Sequence, residues 1–119
     1  MAGEDLKQRT KTYALRVIRL VESLPNNRIA DVLGKQLLRC ATSVGANYRA
    51  ACRAKSNADF IAKMGIVEEE ADESLYWIDL LIAGGLVEEV RLADLMKEGN
   101  EIVAITVASI RTARSHKAK

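Results

Sequence analysis

At 119 residues the chain is long enough for one hydrophobic core, and residues 1–119 read as a single domain. Hydrophobic residues make up 49% of it but aromatic ones only 4%, with a single proline, a mix that favours helix and excludes a sheet-rich design. The formal net charge is +2, no apolar run approaches the ~18–20 residues of a membrane span, and no N-terminal stretch resembles a secretion signal, so a cytoplasmic protein without a membrane partner is expected.

Four helical blocks follow one another. The first spans about Asp5 to Leu24, with Leu6, Tyr13, Ala14, Val17, Ile18, Val21 and Leu24 at three- and four-residue steps, and Pro25 stops it. Asn26 or Asn27 caps a second helix that ends near Arg53 and carries the core stripe Ile29, Leu33, Leu37, Cys40, Val44, Asn47, Tyr48 and Ala51. Ser56 followed by Asp59 resembles a capping box and opens a third helix through Met64, Val67, Ala71, Leu75, Ile78 and Ile82, which Gly84 and Gly85 end. The last block, about Leu92 to Arg114, turns Leu95, Met96, Ile102, Val103, Thr106, Val107 and Ile110 inward, with Gly99 as a weak point and 115–119 as a basic, flexible tail. Short connections make neighbours antiparallel, so the predicted fold is an all-α, up-down-up-down four-helix bundle.

Two helices carry more than a bundle core requires. On the third, Ile66, Glu70, Glu73, Trp77 and Leu80 form a second line about 90° or more from the core face, beside Glu69. A large aromatic among charged groups suits a protein interface. On the second, Lys35, Arg39, Thr42, Ala46, Arg49 and Arg53 make an outward basic ridge, which is either a solvated face, a partner for the acidic helix of another copy, or a nucleic-acid contact. Charge is also partitioned along the chain, with net values of +7 over 1–63, −9 over 64–110 and +4 over 111–119. Such a molecule balances its charges within one bundle or between subunits in a head-to-tail ring. Asn47, at the edge of the core stripe, is expected to be a structural polar residue that fixes register by bonding to a neighbouring helix or loop.

Enzyme readings lack parts. Glu69, Glu70 and Glu73 invite comparison with carboxylate metal sites, but those use Glu-x-x-His pairs and the lone histidine is His116 in the basic tail. There is no phosphate loop or nucleophile elbow, and neither cysteine has a histidine base in the folded body. Cys40 and Cys52 lie about 18 Å apart on one helix at ~1.5 Å per residue, too far for a disulfide within the chain, and read as reduced thiols with Cys52 exposed. No catalytic residue, metal or cofactor is expected.

The order Ser43-Val44-x-Ala46-Asn47-Tyr48, then Ser56-x-x-x-Phe60-Ile61, then Glu70-x-x-x-Ser74-x-Tyr76-Trp77 resembles the small bacterial four-helix-bundle proteins encoded by intervening sequences of large-subunit ribosomal RNA genes. The match continues through Ile110-Arg111-Thr112-Ala113-Arg114 and spans most of the chain. It implies an antiparallel bundle assembled as a homopentameric ring. The chain is also similar to the accessory proteins of diversity-generating retroelements, which implies RNA or DNA, and a reverse transcriptase, as candidate partners. Where the family usually carries Glu after the Asn-Tyr-Arg run, this chain has Ala50.

Two function classes remain. In a nucleic-acid-associated ring, Arg39, Arg49, Arg53, Arg111, Arg114, Lys117 and Lys119 contact phosphates, weakly in each subunit but repeatedly around the ring. In a protein-interaction scaffold, Lys35, Arg39 and Arg49 of one subunit meet Glu69, Glu70 and Glu73 of the next, with Ile66, Trp77 and Leu80 as the apolar part of the interface.

Overall fold

The computed structural model describes the backbone of residues 2–117 and the side chains of 5–116. Four helices follow in chain order, α1 (Ala2–Glu22), α2 (Arg28–Cys52), α3 (Asn57–Ala83) and α4 (Glu89–Lys117). Each packs on its neighbour in sequence, and α4 returns to α1 across the sparsest of the four interfaces. The result is an all-α up-down-up-down bundle, 52 × 22 × 21 Å. The fourth helix begins three residues before the expected Leu92 and runs through the stretch expected to be a tail, as far as Lys117.

Local chemistry sets the boundaries. Asn27 caps α2 by accepting the Ala30 N–H at 2.8 Å, and Ser56 caps α3 by accepting the Asp59 N–H at 3.0 Å. The return bond of the Asp59 carboxylate goes to the N–H of Lys55 at 3.1 Å, one residue ahead of the cap, and the same carboxylate holds Lys63. At the end of α3, Gly85 takes φ 75°, the Leu86 N–H reaches the Leu81 carbonyl at 2.9 Å and the Gly85 N–H reaches Ile82 at 3.0 Å. That paired closure uses a left-handed residue that glycine adopts without a Cβ penalty.

The core runs the length of the bundle through Leu6, Tyr13 and Val17 of α1, Leu37, Val44 and Tyr48 of α2, Met64, Val67 and Ile78 of α3, and Leu92, Ile102 and Ile110 of α4. Ile29, expected in this core, is 64% exposed, because the buried face of α2 runs through Ala30, Gly34, Leu37, Ala41 and Val44 and leaves Ile29 to one side. The position one residue on, Ala30, is buried instead. Three polar residues are buried with the apolar ones, Thr10, Ser74 and Thr106, and each bonds a carbonyl of its own helix. Ser74 also shares a 2.8 Å bond with the Tyr13 hydroxyl across the bundle. Burial pushes the Tyr13 phenol up from its ordinary value. Gly99, a weak point in an isolated helix, is buried and lets α4 approach: a Cβ there would lie 2.7 Å from Leu75 and 2.9 Å from the Tyr13 hydroxyl.

Asn47 is half-buried and donates to the Ser43 carbonyl at 2.8 Å. Its partner is therefore one turn back on its own helix, not the neighbouring helix or loop that was expected. The sparse α1–α4 seam is fastened by Arg9, whose guanidinium holds Glu98 at 2.8 Å and Glu101 at 2.7 Å. Those carboxylates raise the Arg9 pKa further, and Arg9 holds the Glu98 carboxyl below its ordinary value against the opposing effect of burial.

Candidate functional site

The antiparallel order gathers the start of α1, the end of α2, the start of α3 and the end of α4 at one end of the bundle. A 2.7 Å bond from the Asn57 side chain to the Ala113 carbonyl fixes the last two together. The basic ridge, the beginning of the chain and the basic C-terminal stretch, distant in sequence, thereby share one end.

Between α1 and α2 near this end lies a groove of about 590 Å³, lined by Lys7, Thr10, Lys11, Ala14, Thr42, Gly45, Ala46, Arg49, Cys52 and Arg53. Small residues form its floor, because Gly45 brings α2 against Thr10 of α1, with a Cβ position only 3.2 Å from the Thr10 hydroxyl. Lys7, Lys11, Arg49 and Arg53 line the groove, and among the described residues no carboxylate does. Arg49, Arg53 and Lys11 form no ion pair among the described residues. Uncompensated cations along one concave strip create a positive potential matched to a run of phosphates. Arg49 and Arg53 belong to the ridge visible in the sequence, whereas Lys7 and Lys11 lie on another helix and reach the groove only through packing.

The rest of the basic ridge divides differently. Lys35 pairs with Asp31 on its own helix at 3.2 Å, with both side chains in solvent. Arg39 turns toward α3 and binds Glu73 at 2.7 Å and Glu70 at 3.4 Å. Of the two arrangements left open for these charges, within one bundle or between subunits, Arg39 makes the first. Arg49 lies in the α1–α2 groove and not against the acidic helix. Arg111 and Arg114 are exposed beside Glu68, Gly65 and Ile61 in a separate shallow depression between α3 and α4. The side chain of Lys117 and all of Lys119 lie outside the described residues.

Arg39 belongs to a compact cluster. The thiol of Cys40 is fully buried and sits with Glu70 and Glu73 so that one ligating atom of each lies within 4.8 Å of the others. This is a metal-capable donor set that reading the sequence for histidine pairs could not reveal. The Arg39 guanidinium occupies its mouth, donating to the sulfur at 3.2 Å as well as to the carboxylates. Burial, and then the bond to Glu73, push the Cys40 thiol up to about 12. Glu73 is held below the ordinary carboxylate value by its bonds from Cys40 and from the Trp77 indole N–H, and by Arg39. Cys52, by contrast, is exposed at the groove.

Along the outer line of α3, Ile66 is 42% exposed, Glu69 is exposed, and Trp77 and Leu80 are half-buried. Tyr76, 55% exposed, meets Trp77 edge to face with ring centres 5.2 Å apart. Of the apolar members of the expected interface Ile66 is exposed, while Trp77 packs partly against the core and Leu80 is half-buried; Glu70 and Glu73 are engaged by Arg39. No helix among the described residues is long and apolar enough to cross a membrane.

A family model described as "23S rRNA-intervening sequence protein" matches residues 4–108. Among solved structures, the chain is similar to a protein with unknown function from the S23 ribosomal protein family of Bacteroides thetaiotaomicron VPI-5482. The two are 34% identical, with 93% of this chain and 99% of that one covered at a TM-score of 0.87. No curated protein matches the chain. Neither description names an enzymatic activity.

Proposed function

The chain belongs to the 23S rRNA-intervening sequence protein family, and on that premise we propose that it is a non-enzymatic, self-assembling cytoplasmic bundle that holds nucleic-acid phosphates in its α1–α2 groove. The observation that carries this reading is the concentration of Lys11, Arg49 and Arg53, with Lys7 beside them, around a groove that no carboxylate lines among the described residues. Arg111 and Arg114 lie toward the same end of the bundle but in the separate α3–α4 depression beside Glu68, and offer a second set of phosphate contacts. Arg39, tied to Glu70 and Glu73, is withdrawn from the set of phosphate contacts. Assembly, with a homopentameric ring as the proposed state, uses the apolar outer line of α3, where Ile66, Tyr76 and Trp77 reach solvent. Repetition of the groove around such a ring raises the effective affinity for a polyanion although each subunit carries a net charge of only +2.

A pure scaffold would need its charged pairs across subunits. The strongest of them, Arg39 with Glu73, is already formed inside one chain at 2.7 Å, which favours the nucleic-acid reading. The Cys40 thiol, pushed up to about 12 by burial and its bond to Glu73, stays protonated at neutral pH, which supports the non-enzymatic reading at this cluster. Labelled RNA and duplex DNA titrated at several salt concentrations test the proposal. Binding that weakens steeply and linearly on logarithmic axes supports phosphate contacts, and no binding at low salt rejects them.

A further inference from the structure

Toward the other end of the bundle the α1–α4 seam changes character. At the level of Arg9 the charges across it are opposite and paired. Farther along α1, Arg16 and Arg19 share a pocket of about 240 Å³ with Arg91 of α4. Leu20, Leu92 and Leu95 form its floor, all buried. No carboxylate lines the pocket, and none of the three arginines forms an ion pair among the described residues. Glu98 is the acid whose charge is felt at Arg16, but Arg9 holds it through both carboxylate oxygens. Glu88, Glu89 and Asp94 are exposed and outside the lining. Two helices therefore bring three arginines around one apolar floor, with Arg19 and Arg91 open to solvent, a concentration of positive charge that favours an anion between them.

We propose that this pocket at the α1–α4 seam binds a phosphate-class oxyanion between Arg16, Arg19 and Arg91. One guanidinium fork satisfies a carboxylate, whereas forks arriving from two helices suit a tetrahedral, multiply charged group with oxygens on several sides. Arg91 stands in the first turn of α4, which begins at Glu89, and its backbone N–H is bonded to the Glu88 carbonyl at 3.1 Å, so its side chain is what it offers the pocket. Ser23 lines the pocket, but its hydroxyl hydrogen is spent on the Leu20 carbonyl at 2.7 Å, and the arginines supply the donors. The pocket lies on the flank of α1 opposite the α1–α2 groove and does not depend on the function proposed for that groove.

Inorganic pyrophosphate, titrated into the full-length protein and followed through the arginine side-chain N–H signals by NMR, tests the assignment. The expected result is saturable movement of the Arg16, Arg19 and Arg91 signals. Arg91 is exposed, so Arg91→Gln leaves the helical circular dichroism unchanged and weakens pyrophosphate about tenfold, the loss of one charge-assisted fork. Lys35→Gln, in an exposed pair outside both pockets, leaves the pyrophosphate response of the Arg16, Arg19 and Arg91 signals as it was. Linear, unsaturating shifts, or equal affinity in the Arg91→Gln variant, overturn the proposal. An unphosphorylated oligonucleotide distinguishes the sources of the anion: displacement of pyrophosphate from these arginines identifies a phosphodiester backbone, and failure to displace it identifies a free phosphate compound.

Discussion

Gly99→Ala sets helix propensity against packing, and the structure decides the sign. In an exposed helix interior the change stabilises by about 1 kcal/mol. Here the new methyl would lie 2.7 Å from Leu75 Cδ2, 2.9 Å from the Tyr13 hydroxyl and 3.3 Å from Tyr13 Cε1. Leu75 is half-buried and presents the end of a flexible chain, so it can turn away. Tyr13 cannot: it is fully buried and its hydroxyl is fixed to Ser74 at 2.8 Å. Overpacking of this kind costs about 1–3 kcal/mol, so Gly99→Ala should destabilise the protein by about 1 kcal/mol net. Tyr13→Phe removes the nearest immovable atom and leaves Ser74 still donating to Ala71 at 2.6 Å. In that background the cost of Gly99→Ala should fall by about 1 kcal/mol, a coupling that urea denaturation of the four proteins measures directly. Stabilisation by Gly99→Ala in the parent chain, or an identical cost in both backgrounds, would refute the close-approach explanation.

Arg9→Gln should lower stability at neutral pH and flatten its acid dependence. Glu98 has a folded pKa below its ordinary 4.5, so its contribution is complete above that value and disappears as pH falls through the lower folded value. Urea midpoints between pH 7 and 3 should therefore converge for the two proteins at the acid end; parallel curves would contradict the Arg9–Glu98 linkage. A thiol reagent should modify Cys52 in the native protein and reach the buried Cys40 only on unfolding, read by mass spectrometry of the labelled peptides. Trp77→Ala should shift the mass measured by light scattering toward the monomer, while a mass that stays constant would remove the outer line of α3 from the assembly interface.

The elements were legible because their signals are local. Asn27, Ser56 and the Gly84-Gly85 pair act within a few residues of themselves, and the α2 and α3 boundaries follow them closely. Ile29 lies off the packed face because that face starts with Ala30 and Gly34, small residues that a stripe of large apolar side chains passes over. Arg39 was placed on the outer side correctly, but its length lets it lean onto α3, and spacing along α2 carries no information on that reach. The groove was half legible: Arg49 and Arg53 belong to a visible ridge, while Lys7 and Lys11 join them only through the α1–α2 register that Gly45 and Thr10 set. The Arg9 cluster spans 89 and 92 residues of sequence, and Cys40 meets its carboxylates across two helices, so neither is written in any single segment.

The most direct test of the groove is the salt dependence of RNA binding by the parent chain beside a Lys11→Gln, Arg49→Gln, Arg53→Gln variant matched to it in oligomeric mass. Each lost phosphate contact should reduce the logarithmic salt slope by about 0.7 for a single strand or 0.9 for a duplex, and affinity should fall with it. An undiminished slope in the triple variant would place the nucleic acid elsewhere on the molecule and contradict the role assigned to the groove.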